Sequence, residues 1–257
     1  MYKIDLSNKT AVVFGVANDR SIGWSIAQTL AQAGARLAIL YQNERLKSRI
    51  STLVKDLPNA AMIECDVSSD TSITSAFEQI TSIFGKIDIL VHSIAYAQRE
   101  DLGGAFSDTN RDGFKIALDI SAYSLIPLVR EGSKLMESGG AVVTLTFDGS
   151  SKVYPGYNIM GTAKAALENE VRQLSSEYGT HGIRVNAISA GPLNTLAARG
   201  ITGFAEMKRI HAEKSPLKRN IKHSEIGDAA LFLLSDMSSG ITGTILQVDA
   251  GYHIMAV

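Results

Sequence analysis

Residues 10–41, TAVVFGVANDRSIGWSIAQTLAQAGARLAILY, decide the fold of this 257-residue chain. The stretch begins with TAVVFG and ends with RLAILY, two short apolar runs that are typical of strands buried on both faces of a parallel sheet. Between them apolar residues recur every three or four positions, which predicts a helix, and Gly34 suits its C-terminal end. The order strand, helix, strand predicts a βαβ unit with a right-handed crossover.

The turn between the first strand and the helix carries a functional signal. Gly15 allows a sharp turn and a close approach of the backbone to a ligand, and Ser21 is a good N-cap for a helix that begins at Ile22. The free N–H groups and the dipole at a helix N-terminus favour an anion, and a pyrophosphate is the expected one. Gly15 and Gly23 are eight positions apart, which departs from the G-x-G-x-x-G fingerprint. A purely structural turn with a capped helix therefore stays an alternative.

Five further apolar runs predict five more strands, with helical patterns between them. They lie at residues 60–65, 87–92, 141–146, 183–188 and 244–248. This alternation predicts an α/β fold, a doubly wound Rossmann-type sheet of seven parallel strands with helices on both faces. No linker composition divides the chain, so we expect a single domain over residues 1–257.

Four other stretches bear on the site. Residues 98–114 are polar and irregular, and we expect a loop over the carboxyl edge of the sheet, where ligands bind in open α/β folds. Residues 115–136 predict one long helix. Residues 199–210 mix apolar and charged side chains, which fits either an amphipathic helix packed on the body or a mobile lid with an apolar inner face. The last seven residues, GYHIMAV, are too apolar for a free end, and we expect them to pack in a core or a subunit interface.

Composition limits the functional classes. The formal net charge is −1 with balanced acids and bases, which argues against nucleic acid as the main partner. Cys65 is the only cysteine, so no intrachain disulfide can form and a reducing compartment fits. The N-terminus has no apolar signal core, and no run of about 18 apolar residues exists. We therefore expect a soluble cytoplasmic protein without a membrane span.

Two residues after predicted strands suit a dinucleotide. Asp66 follows the third strand and can accept a hydrogen bond from an adenine amino group, or it can cap the next helix. Gln42 follows the second strand, where such sites often place an acid on the adenosine ribose. Gln42 is neutral and favours NADH. The basic side chains Arg45, Lys47 and Arg49 come next, and they fit either a solvated helix face or a 2′-phosphate, so NADPH stays possible.

Tyr157 and Lys164, in the stretch YNIMGTAK, form the candidate catalytic pair. On one α-helix, seven residues make almost two turns, and both side chains leave the same face about 10 Å apart. A nearby ammonium favours the phenolate and so makes the tyrosine a better proton donor. Such a pair can polarise a carbonyl while the lysine holds a sugar hydroxyl; a surface tyrosine and a solvated lysine are the structural alternative. His92 has no metal-type partner at a suitable spacing, so we expect a packed histidine and no metal site.

Together these motifs resemble the short-chain dehydrogenase/reductase superfamily and, within it, the bacterial-type NADH-dependent enoyl-[acyl-carrier-protein] reductases. The resemblance spans nearly the whole chain. It is carried by GVANDRSIGW from Gly15, YQNERLK from Tyr41, CDV from Cys65, VHSIAYA from Val91, DISAYS from Asp119, YNIMGTAKAALE from Tyr157, RVNAISAGPLNTLAA from Arg184 and VDAGYHIM from Val248. Common short-chain dehydrogenases have a tighter glycine turn, an Asn-Ala-Gly after strand four and a three-residue gap between tyrosine and lysine. This chain has the wider form at all three places.

The resemblance implies a reaction and a set of site residues. The reaction is reduction by NADH of the trans-2 double bond of an enoyl thioester on acyl carrier protein, and the expected assembly is a homotetramer. Tyr157 matches the tyrosine that hydrogen-bonds the thioester carbonyl, and Lys164 matches the lysine on the nicotinamide ribose. Positions that match cofactor contacts are Gly15, Ser21, Ile22, Gln42, Asp66, Val67, Ser93, Ile94, Ala95, Leu193, Asn194, Thr195, Leu196 and Ala197. Positions that match substrate contacts are Ala97, Phe147, Ile201, Phe204 and Met207, with a substrate-binding segment near residues 195–212.

Phe147 departs from the family pattern, because many members carry a second tyrosine at this position. Without that hydroxyl, Tyr157 must be the main donor to the carbonyl. Two alternatives stay open: a carbonyl reductase of the same fold that acts on a 3-oxoacyl or other ketone substrate, and a non-catalytic NAD(H)-binding sensor. The wide gap between tyrosine and lysine speaks against the first, and the intact pair Tyr157 and Lys164 speaks against the second.

Overall fold

The computed structural model describes residues 4–57 and 59–256, and its centre is one sheet of seven parallel strands. The strands are β1 (Thr10–Phe14), β2 (Arg36–Tyr41), β3 (Ala60–Glu64), β4 (Ile89–His92), β5 (Gly140–Thr146), β6 (Ile183–Ala190) and β7 (Ile245–Val248). Their order in the sheet is β3-β2-β1-β4-β5-β6-β7, and every neighbouring pair is parallel. All seven predicted runs form strands, and the predicted doubly wound fold is confirmed.

Helices cover both faces of the sheet. Within the described residues they are α1 (Ile22–Gln32), α2 (Glu44–Val54), α3 (Asp70–Phe84), α4 (Arg111–Leu118), α5 (Leu125–Ser133), α6 (Ile159–Tyr178), α7 (Phe204–Lys214) and α8 (His223–Leu234). Because side chains alternate along a strand, Ala11 and Val13 of β1 join the core with α1 and α8. Val12 and Phe14 join the core with α3, α5 and α6 on the other face. No helix in the described ranges is both long and apolar enough to cross a membrane.

The chain reverses its direction across the sheet between β1 and β4. From β1 it moves outward to β2 and β3, and it then returns to the other side of β1 to form β4. Connections that leave two neighbouring strands in opposite directions open a crevice at their carboxyl ends. Gly15 and Ser93 meet there: Gly15 has φ +87°, and a Cβ on it would lie 1.9 Å from the Ser93 carbonyl oxygen. The close approach of the two strand ends therefore requires glycine.

The predicted single helix over residues 115–136 is wrong. The structure has α4, a π-helical turn at Asp119–Tyr123 and then α5. Pro127 lacks the N–H that would continue the regular ladder, so a helix through this point loses a hydrogen bond. The Ser121 hydroxyl also bonds the backbone of Tyr96, accepting from its N–H and donating to its carbonyl at 2.8 Å each. The irregular turn is thus fixed to the segment after β4.

Two other expectations are corrected in part. The irregular segment predicted at residues 98–114 ends earlier, because Asn110 caps α4 by accepting a hydrogen bond from the Gly113 N–H at 2.8 Å. The apolar C-terminal stretch divides: Tyr252 is buried, as predicted, whereas the Ile254 side chain is 68% exposed. The last residue of that stretch, 257, lies outside the described residues.

The contact between the ends of β1 and β4 yields a prediction for Gly15→Ala. The left-handed backbone costs an alanine roughly 1–2 kcal/mol, and the overlap with the Ser93 carbonyl adds about 1–3 kcal/mol of overpacking. We expect the free energy of unfolding, measured by urea denaturation, to fall by the sum of these terms. Gly179→Ala is the matched control, because Gly179 has a helical backbone and open space around its Cβ position. Equal stability of the two variants would contradict the strand-contact argument.

Candidate active site

A cavity of about 810 Å³ runs along the carboxyl ends of the strands, from the turn after β1 to the inner face of α7. All residues predicted to contact cofactor or substrate line this cavity except Asn194. In the turn after β6, Leu193 is buried and the neighbouring Asn194 is exposed, because successive side chains of an extended segment point to opposite sides. The other predicted site residues therefore lie along one continuous wall, and Asn194 is the predicted position that does not belong to it.

Several wall residues were not predicted from the sequence. Met160 lies one helical turn before Lys164 and lines the cavity, so helical spacing alone was a usable signal. Arg99 and Leu102 come from the segment that was predicted to cover the sheet edge. Ile120 comes from the π-helical turn. The positions of these last three depend on contacts distant in sequence, which no local pattern reports.

The start of α1 is open to an anion. Ser21 occupies the N-cap position, as predicted, but its hydroxyl oxygen accepts from the loop N–H groups of Ala17 and Asn18 at 3.0 and 3.1 Å. No side-chain cap within the described residues occupies the N–H groups of the first turn of α1, and this turn contains no acidic residue. The Trp24 N–H donates to the Ser21 carbonyl oxygen at 3.1 Å. The N–H groups of Ile22 and Gly23 and the helix dipole therefore remain available to a phosphate oxygen.

Residues that follow β2 and β3 form one end of the cavity. Ser69 caps α3 by accepting from the Ser72 N–H at 3.3 Å, so Asp66 is not the cap. The Asp66 carboxylate instead accepts from the Ser68 N–H and hydroxyl at 3.1 and 2.8 Å. A carboxylate oxygen has more than one acceptor position, so Asp66 retains capacity for an amino group.

Lys164 carries a charge that is almost wholly enclosed. Its side chain is 4% exposed, and Nζ donates to the Leu145 carbonyl oxygen at 2.7 Å. Burial lowers the pKa of Lys164 to about 8, against the opposing attraction of Glu168. Since an ammonium has three donors, two remain for other acceptors at the cavity wall. The lysine is thus a buried donor at the end of β5, not a solvated surface residue.

His92 is a packed histidine, as predicted. Its ring nitrogens meet the hydroxyls of Thr144 and Ser124 at 2.8 and 2.9 Å. Complete burial, and secondly the charge of Lys164, lower the pKa of His92 to about 3, so the ring is neutral. No group of three or more metal-type side chains suited to an ion occurs among residues 4–57 and 59–256.

Tyr157 lies just before α6 rather than on it. The helix begins at Ile159, and the N–H of Met160 closes a turn onto the Tyr157 carbonyl oxygen at 3.1 Å. The prediction that Tyr157 and Lys164 share a helix face is therefore wrong, although both side chains line the cavity. Burial raises the pKa of Tyr157, whereas a nearby ammonium was predicted to favour the phenolate. The phenol keeps its proton and can donate a hydrogen bond.

Phe147 supports Tyr157 through its ring. The two rings meet edge to face, with centroids 5.0 Å apart. Tyr154 packs on the other side of Phe147 at 4.7 Å and donates its hydroxyl hydrogen to Asp148 at 3.0 Å. The side chain of Tyr154 does not belong to the cavity wall within the described residues. It therefore does not replace the hydroxyl that Phe147 lacks.

The segment after β6 forms a further part of the cavity wall. Ile201, Phe204 and Met207 face the cavity, as predicted. Further along α7, the buried His211 ring stacks on Tyr252 with centroids 3.6 Å apart. Burial lowers the pKa of His211 to about 4. The segment is thus a helix with an apolar inner face, and its distal half is anchored on the C-terminal stretch.

The fold and the site define a dinucleotide-dependent oxidoreductase of the short-chain dehydrogenase/reductase type. Residues 15–253 match the family described as enoyl-(acyl carrier protein) reductase, and the chain belongs to this family.

Similar proteins span its full length. It is 47% identical over 252 residues to the Bacillus cereus "Enoyl-[acyl-carrier-protein] reductase [NADH] FabI", which covers 97% of this chain and 98% of that protein. The Staphylococcus aureus MRSA252 "Enoyl-[acyl-carrier-protein] reductase [NADPH] FabI" is 46% identical over 97% of this chain and 98% of its own length. A crystal structure of FabI from Candidatus Liberibacter asiaticus superimposes with a TM-score of 0.97 at 42% identity, covering 100% of this chain and 99% of that one.

The enclosed charge of Lys164 predicts a pH-dependent stability difference for Lys164→Met. Below pH 8 the lysine is charged in both the folded and unfolded states, so its burial penalty is fully present. Between about pH 8 and the ordinary lysine pKa of 10.5, the unfolded state binds more protons, and the contribution of Lys164 to stability rises with pH. The stability advantage of the methionine variant should therefore shrink across this window, by up to about 1.4 kcal/mol per pH unit.

The measurement is urea unfolding of parent and variant at several pH values between 7 and 10.5, without ligand. Lys86→Met is the matched control, since Lys86 is exposed. If the difference in free energy of unfolding between parent and Lys164→Met changes with pH no more than that of the control, the ammonium is not enclosed in solution.

Proposed function

We propose that Tyr157 and Lys164 serve the reduction of the trans-2 double bond of enoyl-acyl-carrier-protein thioesters by NADH, the last step of the fatty-acid elongation cycle. The observation that carries this proposal is that a buried, protonated tyrosine and a buried lysine share one cavity wall with an open helix N-terminus. A phenol donor and a cation near a dinucleotide site are what stabilisation of a developing oxyanion requires. The acyl carrier protein is the partner that presents the thioester.

The residues present fit NADH. Gly15, Ser21 and Ile22 would hold the pyrophosphate at the start of α1, and Asp66 and Val67 would flank the adenine. Backbone and small side chains after β4 and β6 would hold the nicotinamide half, together with Lys164. These positions are Ser93, Ile94, Ala95, Leu193, Thr195, Leu196 and Ala197.

The neighbourhood of Gln42 supports NADH over NADPH. Gln42 lines the cavity, whereas Arg45 and Arg49 are exposed and do not belong to its wall within the described residues. Lys47 pairs with Glu44 at 3.2 Å and lies over the Tyr41 ring at 5.8 Å. None of the three basic side chains of residues 45–49 therefore lines the part of the cavity where a 2′-phosphate would bind. Rearrangement of these surface cations is what use of NADPH would require.

When bound, NADH supplies a hydride for the β-carbon of the enoyl thioester. Negative charge then collects on the thioester oxygen, and the Tyr157 hydroxyl donates a hydrogen bond to it. This bond strengthens as the charge develops, so it lowers the barrier rather than only binding substrate. Lys164 would donate one of its two remaining N–H groups to the nicotinamide ribose, and its positive charge favours the same oxyanion.

The acyl group would lie between the segment after β4 and the start of α7. Ala97 offers backbone there, and Phe147, Ile201, Phe204 and Met207 offer apolar surface. We assign residues 195–212 as the substrate-binding segment of a single domain. An enoyl chain is apolar along its length, which suits these side chains.

We also propose a cytoplasmic homotetramer. The exposed side chains of Val153 and Ile254 are both apolar, and they lie on segments joined by a hydrogen bond from Lys152 Nζ to the His253 carbonyl oxygen at 2.9 Å. Apolar surface of this kind supports contact with further copies of the chain. A buried, unpaired Cys65 is compatible with a reducing compartment.

The test of the proposed function is the oxidation of NADH and NADPH by the purified chain, with a 2-enoyl thioester beside a 3-oxoacyl thioester. We expect rapid oxidation of NADH with the enoyl substrate alone. Turnover only with the ketone would identify a carbonyl reductase. Cofactor binding without turnover of either substrate would identify a sensor.

Tyr157→Phe should lower kcat by about 100-fold or more, the usual effect of removing one oxyanion donor. Its Kd for NADH should change less than about twofold, because the hydroxyl faces the acyl substrate. Turnover and fluorescence titration of NADH measure the two effects. Tyr154→Phe is the control, since its hydroxyl bonds Asp148 outside the cavity wall. Parent-like turnover by Tyr157→Phe would remove the tyrosine from this role.

Lys164→Ala should weaken NADH binding by about tenfold or more, because a charge-assisted hydrogen bond to the ribose contributes roughly 1.5–3 kcal/mol. Titration of the ligand-free protein with NADH measures this change. Lys86→Ala, on the surface, should bind as the parent does. Unchanged affinity of Lys164→Ala would show that the ribose is held elsewhere.

A further inference from the structure

Asn158, the residue after Tyr157, has an unusual backbone. Its φ is +37° and its ψ is −121°, a region that residues with a side chain rarely adopt. Among the described residues, only Asn59, Lys218 and Ala250 are other non-glycine residues with positive φ. Such a conformation costs about 1–3 kcal/mol and persists only where surrounding contacts hold it. Asn158 lies directly between Tyr157 and the first residue of α6.

The side chain of Asn158 reaches a segment distant in sequence. Its Nδ2 donates to the Gly103 carbonyl oxygen at 2.7 Å, and the Gly104 carbonyl oxygen lies 3.5 Å away. Gly103 follows directly after Leu102, which lines the cavity together with Arg99. Asn158 therefore ties the turn that carries Tyr157 to a segment that forms part of the cavity wall.

Thr202 closes the same junction from a third segment. A Cβ on Gly103 would lie 2.7 Å from the Thr202 hydroxyl oxygen, and a Cβ on Gly156 would lie 2.7 Å from the Thr202 carbonyl oxygen. Both glycines also have positive φ, +97° and +80°. Thr202 lies next to Ile201 of the cavity wall. Three wall segments thus meet around the turn before α6 at a distance that only glycine permits.

We infer that Asn158 is a positioning residue for Tyr157, an inference that rests on the proposed function. With a helical φ at residue 158, α6 would begin earlier and Tyr157 would lie on the helix itself. Because residue 158 has a positive φ, α6 begins only at Ile159, and Tyr157 lies outside the helix. The bond to Gly103 holds that turn, and thereby the phenol, against the segments that enclose the acyl group. Lys164, inside α6, does not depend on this turn.

The experiment compares the parent with Asn158→Gly, which permits positive φ but removes the amide, and with Asn158→Ala, which removes both. Asn59→Ala is the matched control, because Asn59 has φ +58° at the start of β3, at the far edge of the sheet. Four quantities are measured on the full chain: kcat and KM with a 2-enoyl thioester, Kd for NADH, the melting temperature, and the rate of tryptic cleavage at Arg99 and Arg111. Both arginines are exposed and flank the segment that contains Gly103.

We expect both Asn158 variants to lower kcat by about tenfold or more, since a displacement of about 1 Å can cost up to 100-fold. Their Kd for NADH should stay within about twofold of the parent. Cleavage at Arg99 and Arg111 should accelerate, because the segment loses its tie to the turn. Asn59→Ala should lower the melting temperature as Asn158→Ala does, but with parent-like kcat and cleavage.

Parent-like kcat or parent-like cleavage in Asn158→Gly would overturn the inference. So would a loss of NADH affinity in proportion to the loss of kcat, which would indicate a general structural defect. A parent protein without enoyl reduction would instead refute the proposed function, and the cleavage rates would still report whether Asn158 holds the segment.

Discussion

The hydrogen bond from Lys164 Nζ to the Leu145 carbonyl oxygen is the contact around which the site is built. An ammonium that is 4% exposed needs partners, and the end of β5 supplies one at 2.7 Å. The charge has consequences for its neighbours. His92 on the adjacent strand, held between two hydroxyls, stays neutral because it is completely buried, and the charge of Lys164 lowers its pKa further. The parallel sheet makes this possible, since it brings the carboxyl ends of β4 and β5 to one edge.

The tyrosine and the lysine are held in different ways. Lys164 is fixed by a regular helix and by a strand carbonyl. Tyr157 is fixed by a tight turn that Asn158 and two glycines permit, and by the ring of Phe147. Tyr157 and Lys164 therefore do not lie on one helix face. The backbone changes direction at Asn158, between the two residues. Burial keeps the phenol protonated, which suits a donor that acts on charge as it develops.

Patterns over a few neighbouring residues predicted the features that depend on neighbouring residues alone. The seven strands could be predicted because strands buried on both faces are continuous apolar runs. The position of the cavity could be predicted because ligands bind at the carboxyl ends of such strands. The π-helical turn could not be predicted from the local sequence, because it depends on the hydrogen bond between Ser121 and the backbone of Tyr96, 25 residues earlier. The position of Tyr157 depends on Gly103 and Thr202, which are remote in sequence. The direction of the Tyr157 pKa shift depends on the burial of its side chain, which the spacing between Tyr157 and Lys164 in the sequence cannot indicate.

In the proposed reaction the buried phenol stabilises charge on the thioester oxygen while hydride reaches the β-carbon, which lies two bonds from the carbonyl carbon. The most direct test is to reduce a 2-enoyl thioester with NADH that carries deuterium at the transferable position, and to locate the label in the product by NMR. The proposed mechanism requires deuterium at the β-carbon of a saturated thioester and a solvent hydrogen at the α-carbon. Deuterium at the α-carbon, or on the carbonyl carbon with the double bond intact, would contradict it.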